Sequence, residues 1–302
     1  HSNECEIARI YRMVTLFLNM QPLEHEFKIM GLAPYSQYED NKKISDFFSS
    51  IIKLKGFVFK HDKRPKNLYN HISNFLYHYR FDSICAGLQN FVENNLINLI
   101  ENISMKTRIN DFVYSGGVAM NVKANKLLHQ NKYVKSIFVP GAPDDQGTAI
   151  GACYAAHMQF AVSSPKPIDN YYLGHVIDQT SIDKISKKLK NAKPVKYKIL
   201  QNVKIEKIVN LLKNNEIIGR CSGKMEFGSR ALGNRSIYAN PLGKDVIMKL
   251  NKTIKNRDFW MPFAGTVPKK LSNLCISNKK NIDGSFMTMS FDGINYDLCR
   301  AV

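Results

Sequence analysis

Residues 111–160 constrain the fold more tightly than any other stretch. Asp111-Phe-Val-Tyr114 has the composition of a short strand and runs directly into Ser115-Gly-Gly117. A helical pattern over about 118–131 follows, then a second strand at Ser136-Ile-Phe-Val139. A loop rich in Pro, Gly and Asp then opens a helix of small residues over about 147–160. Strand, glycine turn, helix, strand, loop, helix is the order of an α/β domain that holds ligands at the C-terminal ends of its strands.

The flanking segments fit one domain before a linker and one after it. Apolar spacing predicts helices over 6–20 and 25–33, the second stopped by Pro34, and a long helix over 82–103. In that long helix Ile84, Leu88, Phe91, Val92, Leu96, Leu99 and Ile100 share the buried side. Between them, 38–79 is polar and aromatic, with helical pieces at 43–53 and 68–79 and a short strand at 56–60. Ala161-Val-Ser-Ser-Pro-Lys-Pro-Ile168 reads as a linker because of its two prolines. Helices near 180–191, 203–215 and 243–254 and strands at 216–221, 236–239 and 285–291 form the expected second α/β domain. The predicted division is residues 1–165 and 170–302.

At 302 residues the chain is long enough for two such cores. Its six cysteines are scattered, with no Cys-x-x-Cys pair, which argues against a zinc site or a disulfide framework and suits a reducing cytosol. No apolar run approaches the ~20 residues of a membrane span, and a cytoplasmic location is expected. The formal charge of +18 has three explanations: a solvated basic surface, attraction of polyanionic substrates, or nucleic-acid binding. The lysines are dispersed, and charge alone does not choose among them.

Five segments carry candidate chemistry. Lys224-Met-Glu-Phe-Gly-Ser-Arg-Ala-Leu-Gly-Asn-Arg-Ser-Ile237 sets Arg230 and Arg235 five residues apart, with Glu226 nearby and a glycine before each arginine. Guanidinium forks grip carboxylate or phosphate bidentately, although two arginines also suit a basic surface turn. In Ser115-Gly-Gly-Val-Ala-Met-Asn121, free N–H groups at the strand–helix turn favour phosphate or ribose oxygens. A Gly-Gly pair also serves any tight turn, and Asn121 and Asn125 on one helix side either read a nucleotide or bind water. Pro140-Gly-Ala-Pro-Asp-Asp-Gln-Gly147 offers Asp145 as a metal or nucleotide ligand, and Asp144 equally as a helix cap. Asn251-Lys-Thr-Ile-Lys-Asn-Arg257 adds Lys255 and Arg257 as cations able to complete an anion pocket. Glu24-His-Glu-Phe-Lys-Ile-Met-Gly-Leu-Ala-Pro-Tyr35 is by itself an amphipathic helix end.

Taken together and in this order, the five segments resemble the carbamoyltransferases that modify antibiotics, nodulation factors and surface sugars. The resemblance runs from about residue 7 to 291. It implies a partial actin-like ATPase domain, similar to the tRNA threonylcarbamoyl transferase subunit, followed by an α/β carbamoyl-adenylate-synthase-like domain with a twisted sheet. The implied activity is O-carbamoylation. ATP and carbamoyl phosphate give carbamoyl-adenylate and pyrophosphate, and the carbamoyl group then passes to a hydroxyl of a sugar or natural-product acceptor.

On this resemblance Arg230, Arg235, Lys255, Arg257 and Glu226 are catalytic, and Gly116, Gly117, Asn121, Glu26, Lys28 and Lys224 bind the nucleotide. Asp145 binds a divalent metal, iron being one candidate. No nucleic acid or membrane partner is implied.

Three departures matter. The family's opening phosphate loop and His-x-x-x-His metal pair have no match here, which implies an N-terminally truncated member. Ser229 and Gly265 stand where the family commonly has proline. The competing readings are a basic nucleic-acid-binding module, motivated by the charge, and an inactive remnant.

Overall fold

The computed structural model describes residues 6–191, 199–243 and 245–295. Its first part is mainly helical: α1 (Ile7–Phe17), α2 (Glu26–Leu32), α3 (Asp40–Ile51), α4 (Leu68–Leu76) and α5 (Phe81–Thr107). Ile7, Ile10, Tyr11 and Val14 recur at helical spacing on α1 and are all buried. The helix ends at Phe17, three residues before the expected limit, and Asn19 just beyond it takes positive φ. The hairpin β1 (Lys53–Lys55) and β2 (Val58–Lys60) turns at Gly56, so the expected strand at 56–60 has a partner the periodicity did not show.

Helix α5 is the axis of the core. Ile84, Leu88, Phe91, Val92, Leu96 and Ile100 are buried as predicted, and Leu99 packs on the core partly buried. Each fully buried side chain of this size contributes about 1.5–3 kcal/mol relative to exposure. Cys85, Cys153 and Cys221 are free thiols.

The α/β block follows the predicted order. β3 (Asp111–Val113) and β4 (Ser136–Phe138) pair in parallel, with α6 (Val122–Gln130) crossing between them. The expected helix start at 118 is instead a 3-10 turn at Gly117–Met120. The α-helix begins only after Asn121, whose side chain caps it by accepting from the Ala124 N–H at 3.0 Å. α7 (Gly147–Phe160) has no buried residue.

In the second half, α8 (Gln179–Asn191), α9 (Ile205–Lys213), β5 (Ile218–Cys221) and β6 (Arg235–Tyr238) lie where the patterns placed them, within one or two residues. Three expectations fail there. The helix over 243–254 divides into α10 (Val246–Lys249) and a π turn at Leu250–Lys255, closed by Asn256 at φ 45°. The strand at 285–291 is irregular backbone, and β7 (Ile276–Ser277), just after α11 (Ser272–Cys275), pairs with β8 (Asp292–Gly293). In place of the expected twisted sheet there are, among the described residues, two separate antiparallel ladders, β5–β6 and β7–β8.

Residues 285–291 are irregular because they are spent on the first half rather than on a sheet. Asn125 Nδ2 donates to the Thr288 carbonyl at 2.7 Å, Thr288 Oγ1 donates to the Val139 carbonyl at 3.0 Å, and Ser290 Oγ donates to the Val122 carbonyl at 2.9 Å. Met289 joins the main core, and Phe291 and Trp260 pack against it.

Gly87 is where α5 meets α3. A Cβ there would lie 2.5 Å from Ile44 Cβ and 2.9 Å from the Asn41 carbonyl oxygen. Gly87→Ala should therefore destabilise the chain by about 1–3 kcal/mol, although alanine is the better helix former. A lower urea midpoint at unchanged slope is the expected result, and an unchanged midpoint would contradict this packing.

Candidate functional site

The parallel pair β3–β4 sets two turns side by side at its C-terminal end. Tyr114 N–H donates to the Phe138 carbonyl at 2.9 Å, and beyond it Gly116 N–H donates to the Pro143 carbonyl at 2.6 Å. Between these turns lies a cleft of about 280 Å³, lined by Ser115, Gly116, Asp144, Asp145, Thr148 and Tyr171 among others. Gly116 sits at φ +107°, a backbone state that only glycine adopts readily, and nothing lies within 4 Å of where a Cβ would project. The space beside Gly117 is equally open. A ligand can thus approach the backbone of this turn closely, although the Gly116 N–H is already donated to Pro143.

The arginine loop is organised by one carboxylate. Glu226 Oε1 accepts from the N–H groups of Leu232 (3.2 Å), Asn234 (2.6 Å) and Arg235 (2.9 Å). Partial burial pushes this carboxyl upward, but the three N–H donors outweigh it and hold the group below the ordinary glutamate range. Asn234 Nδ2 closes the base of the loop on the Lys224 carbonyl at 2.9 Å.

The loop docks on the cleft. Phe227 N–H donates to the Tyr171 carbonyl at 2.7 Å, and Tyr172 hydroxyl donates to the Leu232 carbonyl at 2.8 Å. Gly228 takes φ +103°, and a Cβ there would lie 3.3 Å from the Gly141 carbonyl oxygen. This docking carries Arg230 to the first half, where Nη2 donates to the Met120 carbonyl at 3.3 Å. Burial draws the Arg230 guanidinium below its ordinary range, with Asp144 pulling the other way. Its Nε is buried with no hydrogen-bond partner. A desolvated guanidinium with an unpaired N–H, beside an open glycine turn, is suited to receive an oxyanion.

Comparison with known proteins gives the family of the chain. The family profile described as Carbamoyltransferase N-terminus matches residues 2–154, and the one described as Carbamoyltransferase C-terminus matches 209–296. The chain belongs to the carbamoyltransferase family. It is 32% identical over 268 residues to an uncharacterized protein of Methanocaldococcus jannaschii, covering 86% of this chain and 50% of that protein. It is 26% identical to the nodulation protein NolNO of Sinorhizobium fredii, over 82% of this chain and 37% of the relative. To the nodulation protein NolO of Bradyrhizobium diazoefficiens it is also 26% identical, over 79% of this chain and 44% of the relative. The chain thus spans half or less of the length of these relatives.

In this family member the sequence-predicted residues divide between the cleft and structural duties. Gly116 and Asp145 line the cleft, Gly117 continues the same turn, and Arg230 docks on the Met120 carbonyl behind it. Asn121 is buried and engaged: besides capping α6 it exchanges two hydrogen bonds with Gln89, at 3.0 and 2.9 Å. Arg235 holds its own hairpin through the Ser222, Gly223 and Asn234 carbonyls.

Arg257 donates to Asn251 Oδ1 at 2.8 Å and to the Pro262 carbonyl at 3.1 Å, and lies 4.4 Å from the Phe263 ring centroid. Lys255 is exposed at the end of the π turn. The contacts of Arg257 are therefore with different segments from those of Arg230. Lys28 pairs with Asp258 at 2.9 Å, and Glu26 accepts from the Leu23 N–H at 2.8 Å, so both serve the packing of α2. Lys224 is exposed, and its carbonyl closes the arginine loop.

Asp145 is exposed, and among the described residues no group of three or more His, Cys, Asp or Glu side chains is placed to hold a metal ion. The residues present do not make a metal site by themselves. Sequence reasoning missed Tyr171, Ser115 and Thr148 on the cleft wall and Gln89 behind Asn121. Tyr171 lies in the segment after the linker, where no spacing marks it, and Gln89 is a polar residue among the buried side chains of α5.

The Glu226 arrangement predicts a titration. The N–H resonances of Leu232, Asn234 and Arg235 should shift together with a midpoint below the ordinary glutamate value of about 4.5. Because the folded pKa is lowered, the stability that Glu226 contributes is complete above that ordinary value. It is lost as pH falls through the folded pKa. Glu226→Gln should abolish the shared titration, and three independent curves would contradict the single-acceptor geometry.

Proposed function

We propose that the chain supplies adenylate-forming and carbamoyl-transfer parts of an ATP-dependent O-carbamoyltransferase. The observation that carries this reading is Arg230, held by the second half yet bonded to the Met120 carbonyl beside the Gly116–Gly117 turn. Carbamoyl phosphate loses its phosphate to water and leaves carbamate. A carbamate oxygen then attacks the α-phosphorus of ATP and expels pyrophosphate, forming carbamoyl-adenylate. Charge builds on phosphoryl oxygens in that step, where a preorganised, desolvated guanidinium acts most strongly. A hydroxyl of a sugar or natural-product acceptor afterwards attacks the carbamoyl carbon and releases AMP.

The open turn of Gly116 and Gly117 fits nucleotide oxygens at the strand ends. In this scheme Glu226 positions rather than reacts, since the oxygen that faces the loop already accepts three N–H groups. Arg235 has the same positioning role for the hairpin. A divalent metal at Asp145 would need ligands other than the described residues, so no step is routed through one.

The full chain, given ATP, carbamoyl phosphate and labelled pyrophosphate, should move label into ATP. Arg230→Ala should lower that exchange by about 100-fold or more. A folded chain without exchange, or an Arg230→Ala rate equal to the parent's, would contradict this assignment.

A further inference from the structure

A second cleft lies between α1 and the start of α4. It encloses about 550 Å³ and is lined by Arg9, Arg64 and Lys66 together with Asn67, Leu68 and Tyr69, and no carboxylate lines it. The cations come from two segments far apart in sequence, and a buried carboxylate fixes two of them. Glu6, 7% exposed, accepts at Oε1 from Arg9 Nη1 (2.9 Å) and Arg64 Nη2 (2.6 Å). Its other oxygen lies 2.9 Å from His61 Nε2, and His61 Nδ1 lies 2.8 Å from the Ile51 carbonyl oxygen. Each guanidinium is thus anchored by one nitrogen, and both remain more than half exposed to the cleft and solvent.

The one acidic residue of the 61–67 loop, Asp62, is turned away onto Lys53 and Lys55. Leu68 and Tyr69 are the first two residues of a nine-residue helix, whose opening N–H groups have no acceptor within the helix.

We propose that this cleft binds the phosphate group of a phosphorylated small molecule. Two guanidiniums, an ammonium and a helix start line one cleft, a donor set that suits a tetrahedral oxyanion with several acceptor oxygens better than a planar carboxylate. The volume exceeds that of inorganic phosphate, and Leu68 and Tyr69 add apolar wall for the organic part. The inference uses none of the residues around Gly116 and Arg230, so it stands or falls apart from the proposed function.

Titration of the full chain with glucose 6-phosphate, and separately with glucose, tests it by backbone amide NMR. The ester should shift the Leu68 and Tyr69 amides, and glucose should not. Arg9→Ala/Arg64→Ala should weaken binding about tenfold or more. Because that pair also uncovers Glu6, Lys66→Glu, at an exposed residue, provides the second variant and should weaken binding likewise. Shifts confined to the Gly116 and Gly117 amides, equal response to glucose, or affinity unchanged in Lys66→Glu would overturn the assignment.

Discussion

The Lys280 ammonium donates to three carbonyl oxygens, those of His129, Asn131 and Val134, at 2.5–2.7 Å, and much of the structure hangs from that one group. The Asn131 carbonyl also accepts the Val134 N–H at 3.1 Å, and the ammonium adds a charged donor to it and to its neighbours at the negative end of the α6 dipole, where a cation is most favourable. Beside Lys280, Asp292 takes Lys126 and Gln130, each at 2.6 Å, and Thr288 bridges Asn125 and Val139. The end of the described chain is thereby stitched to α6 and β4. Thr288 and Asn125 are almost wholly buried, so their unmet hydrogen bonds would cost more than exposed ones.

This return path explains why the arginine loop faces the glycine turn. Phe286, within the stitched segment, meets Tyr171 with ring centroids 4.9 Å apart, and the Tyr171 ring covers Gly141. The Tyr171 carbonyl then receives Phe227 N–H and sets the entry of the loop. From there Glu226 curls the backbone and Gly228 lets it pass Gly141, which leaves Arg230 beside Met120. A family signature separated from the Gly-Gly turn by more than a hundred residues thus reaches the Met120 carbonyl through packing, not through sequence proximity.

Much of this was legible in the sequence because local periodicity and turn chemistry agree with the fold. α5 shows its apolar face at helical spacing, and the β3–turn–α6–β4 order is written in strand formers and paired glycines. The cleft residues Gly116 and Asp145 were visible as turn residues at strand ends, and Arg230 as part of a family signature. What could not be read is long-range. The segment 285–291 has strand-like composition, but its backbone and hydroxyl groups are claimed by Asn125, Val139 and Val122. Lys28 and Arg257 look like ligand cations in a string of letters, but Asp258 and Asn251 occupy them. Asn121 is a helix cap tied to Gln89, a partner that helical spacing gives no reason to choose.

The central claim is that the arginine loop and the glycine turn form one unit across the two halves, joined at Arg230. Amide hydrogen exchange of the unliganded chain, compared with its Arg230→Ala variant, tests this most directly. Faster exchange over 115–121 as well as 226–236 in the variant is the result this account predicts. A change confined to 226–236, with the glycine turn as protected as before, would contradict it.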